Sequence, residues 1–328
     1  MRLHTLLCVI LLTLVSCSPG SSKSLSLHGK PWWPLGQNVA WIEDDDPHTY
    51  DYYFQRLSES GVELVRIVLV PWGLHEGWNA SGEPDENRLS ELEETLQMAA
   101  DYNLSVILAL DIYGELRSAS EDPREMLWEE NPYNAVRGGP LHAPAEFFTN
   151  SSARESYKWR LARLAARLGD EKALYAWEFW NEVDLTDGYN ETAVCAWHQE
   201  MAQFLDELDD ADRQITTSFA DFKNGDCIWK LPEIDLVMVH YHGPDVLDRI
   251  PEMYHLAARY GKPVLLEEFS LGNSPEAVSS DPIGEHLRRA TVAARDTGYA
   301  SGPMSWWWDV YVDQNELYWI YRNATIRP

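Results

Sequence analysis

Two apolar runs that end abruptly in carboxylates constrain this chain more than any other feature. Residues 173–184 read Ala-Leu-Tyr-Ala-Trp-Glu-Phe-Trp-Asn-Glu-Val-Asp, and residues 261–270 read Gly-Lys-Pro-Val-Leu-Leu-Glu-Glu-Phe-Ser. Such short runs, the first following a helix-like segment, read as buried strands of a parallel sheet. Further strand-like runs fall at 34–41, 62–70, 105–111, 215–220, 234–242 and 302–308. Helix-like segments fall between them, at 47–60, 88–101, 151–168, 193–209, 245–260 and 282–297. In 88–101 the stripe Leu89, Leu92, Leu96 and Ala99 marks the buried face. Alternation of this kind predicts an α/β fold, a single (β/α)8 barrel with long βα loops. The 328 residues exceed the ~250 that such a barrel needs.

Barrel enzymes keep their reactive residues at the C-terminal ends of the strands. Asn181 and Glu182 end one run, and Glu267 and Glu268 end another. Two glutamates at the mouths of two strands suggest glycoside hydrolysis by paired carboxylates. Strand parity puts Val264, Leu266 and Glu268 on one face and Glu267 on the other. Asn181 and Glu182 are consecutive, so a bulge at the strand end is needed to bring both to one site. Arg66 interrupts the apolar run at 62–70, and a buried charge must be paired. A structural ion pair at the barrel floor is one reading of it. His240-Tyr241-His242 ends another run and raises the possibility of a metal, but no third ligand stands nearby in sequence. Arg160, Arg163 and Arg167 are expected to lie solvated on the sides of their helix. The long connection at 112–149 is rich in aromatics, Pro and Gly, which points to an ordered wall of the cleft. Trp72, His75 and Trp78 are expected on the same face of the barrel.

The Trp-Asn-Glu strand end and the Pro-Val-Leu-Leu-Glu-Glu-Phe strand resemble the corresponding strands of clan A glycoside hydrolases, in particular family 5 cellulases and mannanases. The resemblance implies that Glu182 is the acid/base and that Glu268, which precedes Phe269, is the nucleophile. It implies that Arg66 holds the nucleophile ionised, that Asn181 binds the sugar 2-hydroxyl and that His240 orients the acid/base. Gly36-Gln37-Asn38 is similar to the family's first strand, under the sugar site. Trp306 matches, by its distance from Gly302, a Trp that stacks on the sugar. The chain departs from the pattern twice. Asp111 stands near a strand end where the family often has His. His242 takes the place of the Tyr that touches the nucleophile, with Tyr241 one residue early. The implied activity is retaining hydrolysis of a neutral β-linked glycan, a β-mannan or β-glucan, with no metal and no cofactor. A transglycosylase would use the same residues, and a glycan-binding surface protein would need neither glutamate.

The balance of 53 acidic against 26 basic residues, a formal net charge of −27, argues against nucleic acid or an anionic polysaccharide as partner. The 15 Trp residues suit both core filling and an open carbohydrate cleft. At the N-terminus, Arg2 precedes an apolar run too short to span a membrane. The run ends Leu14-Val15-Ser16-Cys17, which resembles a bacterial lipobox. The expected organisation is a signal peptide at 1–17, a flexible tether at 18–30 and the barrel at 31–328. Export follows, with membrane contact only through lipid on Cys17 and a monomeric body; an ordinary secretory signal is the rival. Cys195 and Cys227 form a disulfide in an exported protein or remain as buried thiols.

Overall fold

The computed structural model describes residues 25–306, apart from 41, 43–48, 72–73, 75–76, 78–82, 120–127, 210, 212, 244, 271–282 and 298–302. Cys17 and the lipobox, Trp72, His75, Trp78, Trp307 and Trp308 lie outside the described residues.

A short antiparallel hairpin leads in, with β1 at Leu25–Leu27 and β2 at Lys30–Trp32. Eight parallel strands follow: β3 (Gly36–Ala40), β4 (Leu64–Val68), β5 (Ser105–Ile112), β6 (Leu174–Asn181), β7 (Gln214–Thr216), β8 (Val237–His242), β9 (Val264–Ser270) and β10 (Met304–Ser305). Their order, β7-β6-β5-β4-β3-β10-β9-β8, is that of a barrel opened between β7 and β8. That seam is closed by Asp235 N–H, which donates to the Ile215 carbonyl at 2.8 Å, and by Thr216 Oγ1, which donates to the Leu236 carbonyl at 3.1 Å. The fold is a single (β/α)8 barrel.

Helices α1 (Tyr50–Ser60), α2 (Glu86–Asp101), α3 (Ser151–Leu168), α4 (Glu191–Asp206), α5 (Asp226–Trp229), α6 (Val246–Ala258) and α7 (Ile283–Asp296) connect the strands. The α2 stripe of Leu89, Leu92, Leu96 and Ala99 is buried against the sheet's outer face, as its spacing predicts. Asp85, Asn150 and Asn190 cap α2, α3 and α4 by accepting backbone N–H bonds at the first turn. Cys195 of α4 and Cys227 of α5 form a disulfide with Cα atoms 6.1 Å apart.

The barrel interior has two layers of opposite character. The lower layer is apolar: Leu64, Ile107, Ala176, Met238, Leu265 and Met304. Leu25 of the hairpin is fully buried against it, and Trp32 meets Tyr175 edge-on at 5.1 Å. The tether expected at 18–30 is thus corrected: from Leu25 onward the chain plugs the bottom of the barrel. Two three-residue strands separated by a turn carry too little periodicity to be read in sequence. The upper layer is charged, and it forms the floor of the site.

Candidate active site

Arg66 projects from β4 into this upper layer and is fully buried. Its Nε and Nη2 donate to the two carboxylate oxygens of Glu178 at 2.7 and 2.8 Å. Nη1 donates to Glu268 Oε1 at 2.5 Å, and Nη2 also donates to Asn181 Oδ1 at 2.9 Å. Nε lies 3.0 Å from Glu267 Oε1, and Asn38 Oδ1 accepts from Nη1 at 3.3 Å. Burial opposes the guanidinium charge, but Glu178, Glu267 and Glu268 outweigh it and raise the pKa well above its ordinary value. The two readings of Arg66 are compatible: it forms a buried structural pair with Glu178 and also holds Glu268.

His240, fully buried at the end of β8, sits between three carboxylates. Its Nδ1 is 3.0 Å from Glu182 Oε1 and 3.6 Å from Glu268 Oε2, and its Nε2 is 3.2 Å from Glu267 Oε2. Burial alone would lower its pKa; Glu268, Glu182 and Glu267 raise it to about 10. His240 is therefore a cation at neutral pH, with both ring nitrogens donating. Glu268 is driven in the opposite direction. Burial would raise its pKa, but the charge of His240, the hydrogen bond from His242 and Arg66 lower it to about 2. Glu178 is fully buried, and burial raises its pKa to about 7 despite Arg66.

Exposure decreases from the mouth to the floor. The His242 side chain is 28% exposed, Glu182 11%, Glu268 3%, and Arg66, Glu178 and Glu267 not at all. His242 Nε2 lies 3.3 Å from Glu268 Oε2. Tyr241 instead turns its hydroxyl to Asp245 Oδ1 at 2.6 Å, so His242 is the neighbour of Glu268. One carboxylate oxygen each from Glu182 and Glu268 and one ring nitrogen each from His240 and His242 all lie within 4.8 Å of one another. Trp306 is half-buried on an apolar cluster of Ala40, Val68, Val70, Ala109 and Ile112, and its backbone N–H donates to the Phe269 carbonyl at 3.1 Å.

Three sequence expectations are corrected. Glu267 does not face away from the site. Leu265 faces the interior, while Val264 and Leu266 pack outward in the main core, so regular alternation turns Glu267 inward. The pairing of β8 with β9 then shifts, Val239 opposing Leu266 and His240 opposing Glu268, and this bulge turns Glu268 inward as well. Asn181 and Glu182 meet the site by a different device from the expected bulge. Phe179 and Trp180 both pack toward Trp197 of α4, Asn181 turns inward, and Glu182 takes a left-handed backbone with φ 53° and ψ 52°. Such a backbone is uncommon for a residue with a side chain and is found disproportionately at functional sites. Finally, Arg160 is not solvated. It is buried and pairs with Asp111 at 2.6 Å, while Tyr157 donates to the same carboxylate at 2.6 Å. Asp111 therefore faces α3 rather than the cleft.

Glu178 was not singled out in sequence. A signal was present, because Glu178 interrupts an apolar run as Arg66 does, and the two interruptions pair with each other. The connection at 112–149 is ordered where described, with short 3₁₀ turns at Tyr113–Leu116, Trp128–Glu130, Ala135–Arg137 and Pro144–Glu146.

Comparison with known proteins agrees with this architecture. Residues 23–307 match the family model for cellulase, glycosyl hydrolase family 5. The chain belongs to that family. Among curated proteins it is 24% identical over 223 residues to a probable mannan endo-1,4-beta-mannosidase A of Aspergillus flavus, covering 59% of this chain and 51% of the relative. It is 23% identical over 202 residues to mannan endo-1,4-beta-mannosidase 5 of Solanum lycopersicum, covering 56% and 46%. The chain thus spans about half the length of the curated relatives it matches. Among solved structures, an endo-1,4-beta-mannanase from Rhizomucor miehei superposes with a TM-score of 0.68 at 19% identity, covering 88% of this chain and 89% of that one. An exo-beta-1,4-mannosidase from Opitutaceae bacterium strain TAV5 gives 0.63 at 18% identity, covering 91% and 57%. These structures share the fold.

Proposed function

We propose that the chain is a retaining β-glycoside hydrolase acting on a neutral β-1,4-linked mannan. The observation that carries this reading is that one carboxylate oxygen of Glu182 lies within 4.8 Å of one carboxylate oxygen of Glu268. Retaining glycosidases hold their two carboxyl groups ~5–5.5 Å apart, whereas inverting ones need ~6.5–9.5 Å to admit a water. Glu268, ionised beside Arg66 and His240, attacks the anomeric carbon and forms a glycosyl-enzyme. Glu182, nearer the solvent, protonates the departing glycosidic oxygen. It then takes a proton from the water that releases the sugar. Asn181, held by Arg66, offers its amide to the sugar, and Trp306 offers a flat face. His242 supports Glu268 in the position where a hydroxyl is the family pattern.

The mannanase relatives favour mannan over glucan as substrate. A neutral polymer also suits a chain of net charge −27, which repels polyanions. We place the protein outside the cytoplasm, a location in keeping with its disulfide and with the lipobox-like segment ending at Cys17. The deciding experiment incubates the purified chain with β-1,4-mannan, β-1,4-glucan and β-1,3-glucan and measures new reducing ends. Release from mannan well above the two glucans is expected. Release only from a glucan would replace the substrate, and no release from any of the three would refute the hydrolase.

A further inference from the structure

We propose that the mouth of the barrel is also a binding site for a zinc-class divalent transition metal, held by Glu182, His240, His242 and Glu268, and that the bound ion shuts the site. In the sequence, His240 and His242 lacked a third ligand. The fold supplies two, from the ends of β6 and β9.

The donor geometry is already near what such an ion needs. Zinc binds imidazole nitrogen and carboxylate oxygen at ~2.0–2.2 Å, so neighbouring donors around a tetrahedral ion stand about 3.3 Å apart. Here His242 Nε2 and Glu268 Oε2 are 3.3 Å apart, His240 Nδ1 and Glu182 Oε1 are 3.0 Å apart, and His240 Nδ1 and Glu268 Oε2 are 3.6 Å apart. All four donors fall within 4.8 Å of one another, so sub-ångström adjustments suffice to enclose one ion.

Carboxylates surround the ring that would ligate the ion: Glu182 and Glu268 lie 3.0 and 3.6 Å from His240 Nδ1, and Glu267 lies 3.2 Å from its Nε2. A ligating imidazole nitrogen must be free of its proton, which leaves to solvent on binding. His240 Nε2 remains directed at Glu267 Oε2, 3.2 Å away. A carboxylate behind a ligating imidazole fixes the ring and raises its basicity, and it is the usual outer partner of metal-bound histidine. Entry is through His242, the most exposed of the four. An ion so placed occupies both carboxylates needed for the hydrolysis proposed above. The inhibition therefore rests on that reading, but the binding does not.

The test uses the full chain. Cobalt(II) is titrated in and the visible d–d absorption followed. A strong four-coordinate spectrum saturating at one equivalent, and displaced by zinc, is expected. Calorimetry with zinc chloride should give one site, weakened about tenfold or more by His242→Ala and by Glu267→Gln, since even outer-shell losses cost ~10–100-fold. His142→Ala, at an exposed histidine elsewhere, should leave the affinity unchanged. Mannan hydrolysis should fall with zinc and return with a chelator. Absence of stoichiometric binding, a six-coordinate cobalt spectrum, or affinity untouched by His242→Ala would overturn the site. A chain that hydrolyses none of the glycans yet binds zinc as described would refute the hydrolase and leave the metal site standing. Hydrolysis unaffected by saturating zinc would refute the inhibition.

Discussion

The ends of β6 and β9 each deliver a glutamate to the same few ångströms, by different means. At β6 the chain leaves the sheet, and Glu182 takes a left-handed backbone whose N–H donates to Ser218 Oγ at 3.2 Å. At β9 the chain stays in the sheet and a bulge against β8 absorbs one residue, so that Glu267 and Glu268 both face inward. The two devices give different environments. Glu182 sits near solvent and, among the described residues, pairs with His240 at 3.0 Å. Glu268 is enclosed, with Arg66, His240 and His242 all within reach. A proton-shuttling carboxylate needs contact with leaving group and water, whereas a nucleophile needs fixed aim and a held charge. The turned-out residue suits the first task and the bulged residue the second.

The comparison predicts unequal losses on mutation. Glu268→Ala should lose several orders of magnitude in kcat, with partial recovery when azide takes the vacated space. Glu267→Ala should lose far less in kcat but destabilise the fold by about 3–5 kcal/mol, since removing one partner strands buried charge on Arg66 and His240. Urea unfolding of both variants beside their kinetics checks this. If the two exchanged behaviours, the bulge would be misassigned.

Glu182→Ala should cost about 10²–10⁴-fold on glycan, the usual worth of a general acid/base. The loss should shrink on aryl glycosides whose leaving group needs no proton. Equal losses on both substrates would deny Glu182 the acid role and remove the functional difference between the two strand ends.

A smaller effect separates the two strands by pH. Glu178 of β6, at about 7, and His240, at about 10, bind protons more tightly folded than unfolded. Their contribution to stability is fully present below the ordinary values of 4.5 and 6.5 and is lost as pH rises through about 7 and about 10, respectively. Glu268 of β9, at about 2, has the opposite sign: its contribution is present above 4.5 and lost as pH falls through about 2. The melting temperature should therefore peak near about pH 4.5, where Glu268's contribution is complete and Glu178's begins to fall, and decline toward alkaline pH. Glu178→Gln should flatten the part of that decline between about pH 4.5 and about pH 7. A melting temperature that climbs steadily from pH 5 to pH 9 would contradict the assignment.

Much of this was legible in the sequence because periodicity reports the regular parts of a barrel. The helix expected at 151–168 is α3, Ser151–Leu168, and the strand expected at 105–111 is β5, Ser105–Ile112. Alternation fails where the site is built. The resemblance points to Glu268 over Glu267, and parity agrees only on the premise of a regular strand; Arg66 reaches both glutamates, and contact with His242 distinguishes Glu268 on a strand that is not regular. Arg160 looked solvated because its partner, Asp111, lies on another element, and sequence distance says nothing about which side of a helix meets it. The same limit hid Glu178. A buried charge can be recognised in one strand, but its partner is decided by which strands the barrel makes neighbours.

The most direct test of the central claim is to trap the intermediate. A 2-deoxy-2-fluoro β-mannoside with an activated leaving group, incubated with the protein, should leave a glycosyl ester that survives proteolysis. Mass spectrometry of the peptide spanning residues 263–270 should place the sugar on Glu268. An ester on Glu267 or on Glu182, or turnover that never passes through an ester and releases the α-anomer first, would contradict the account.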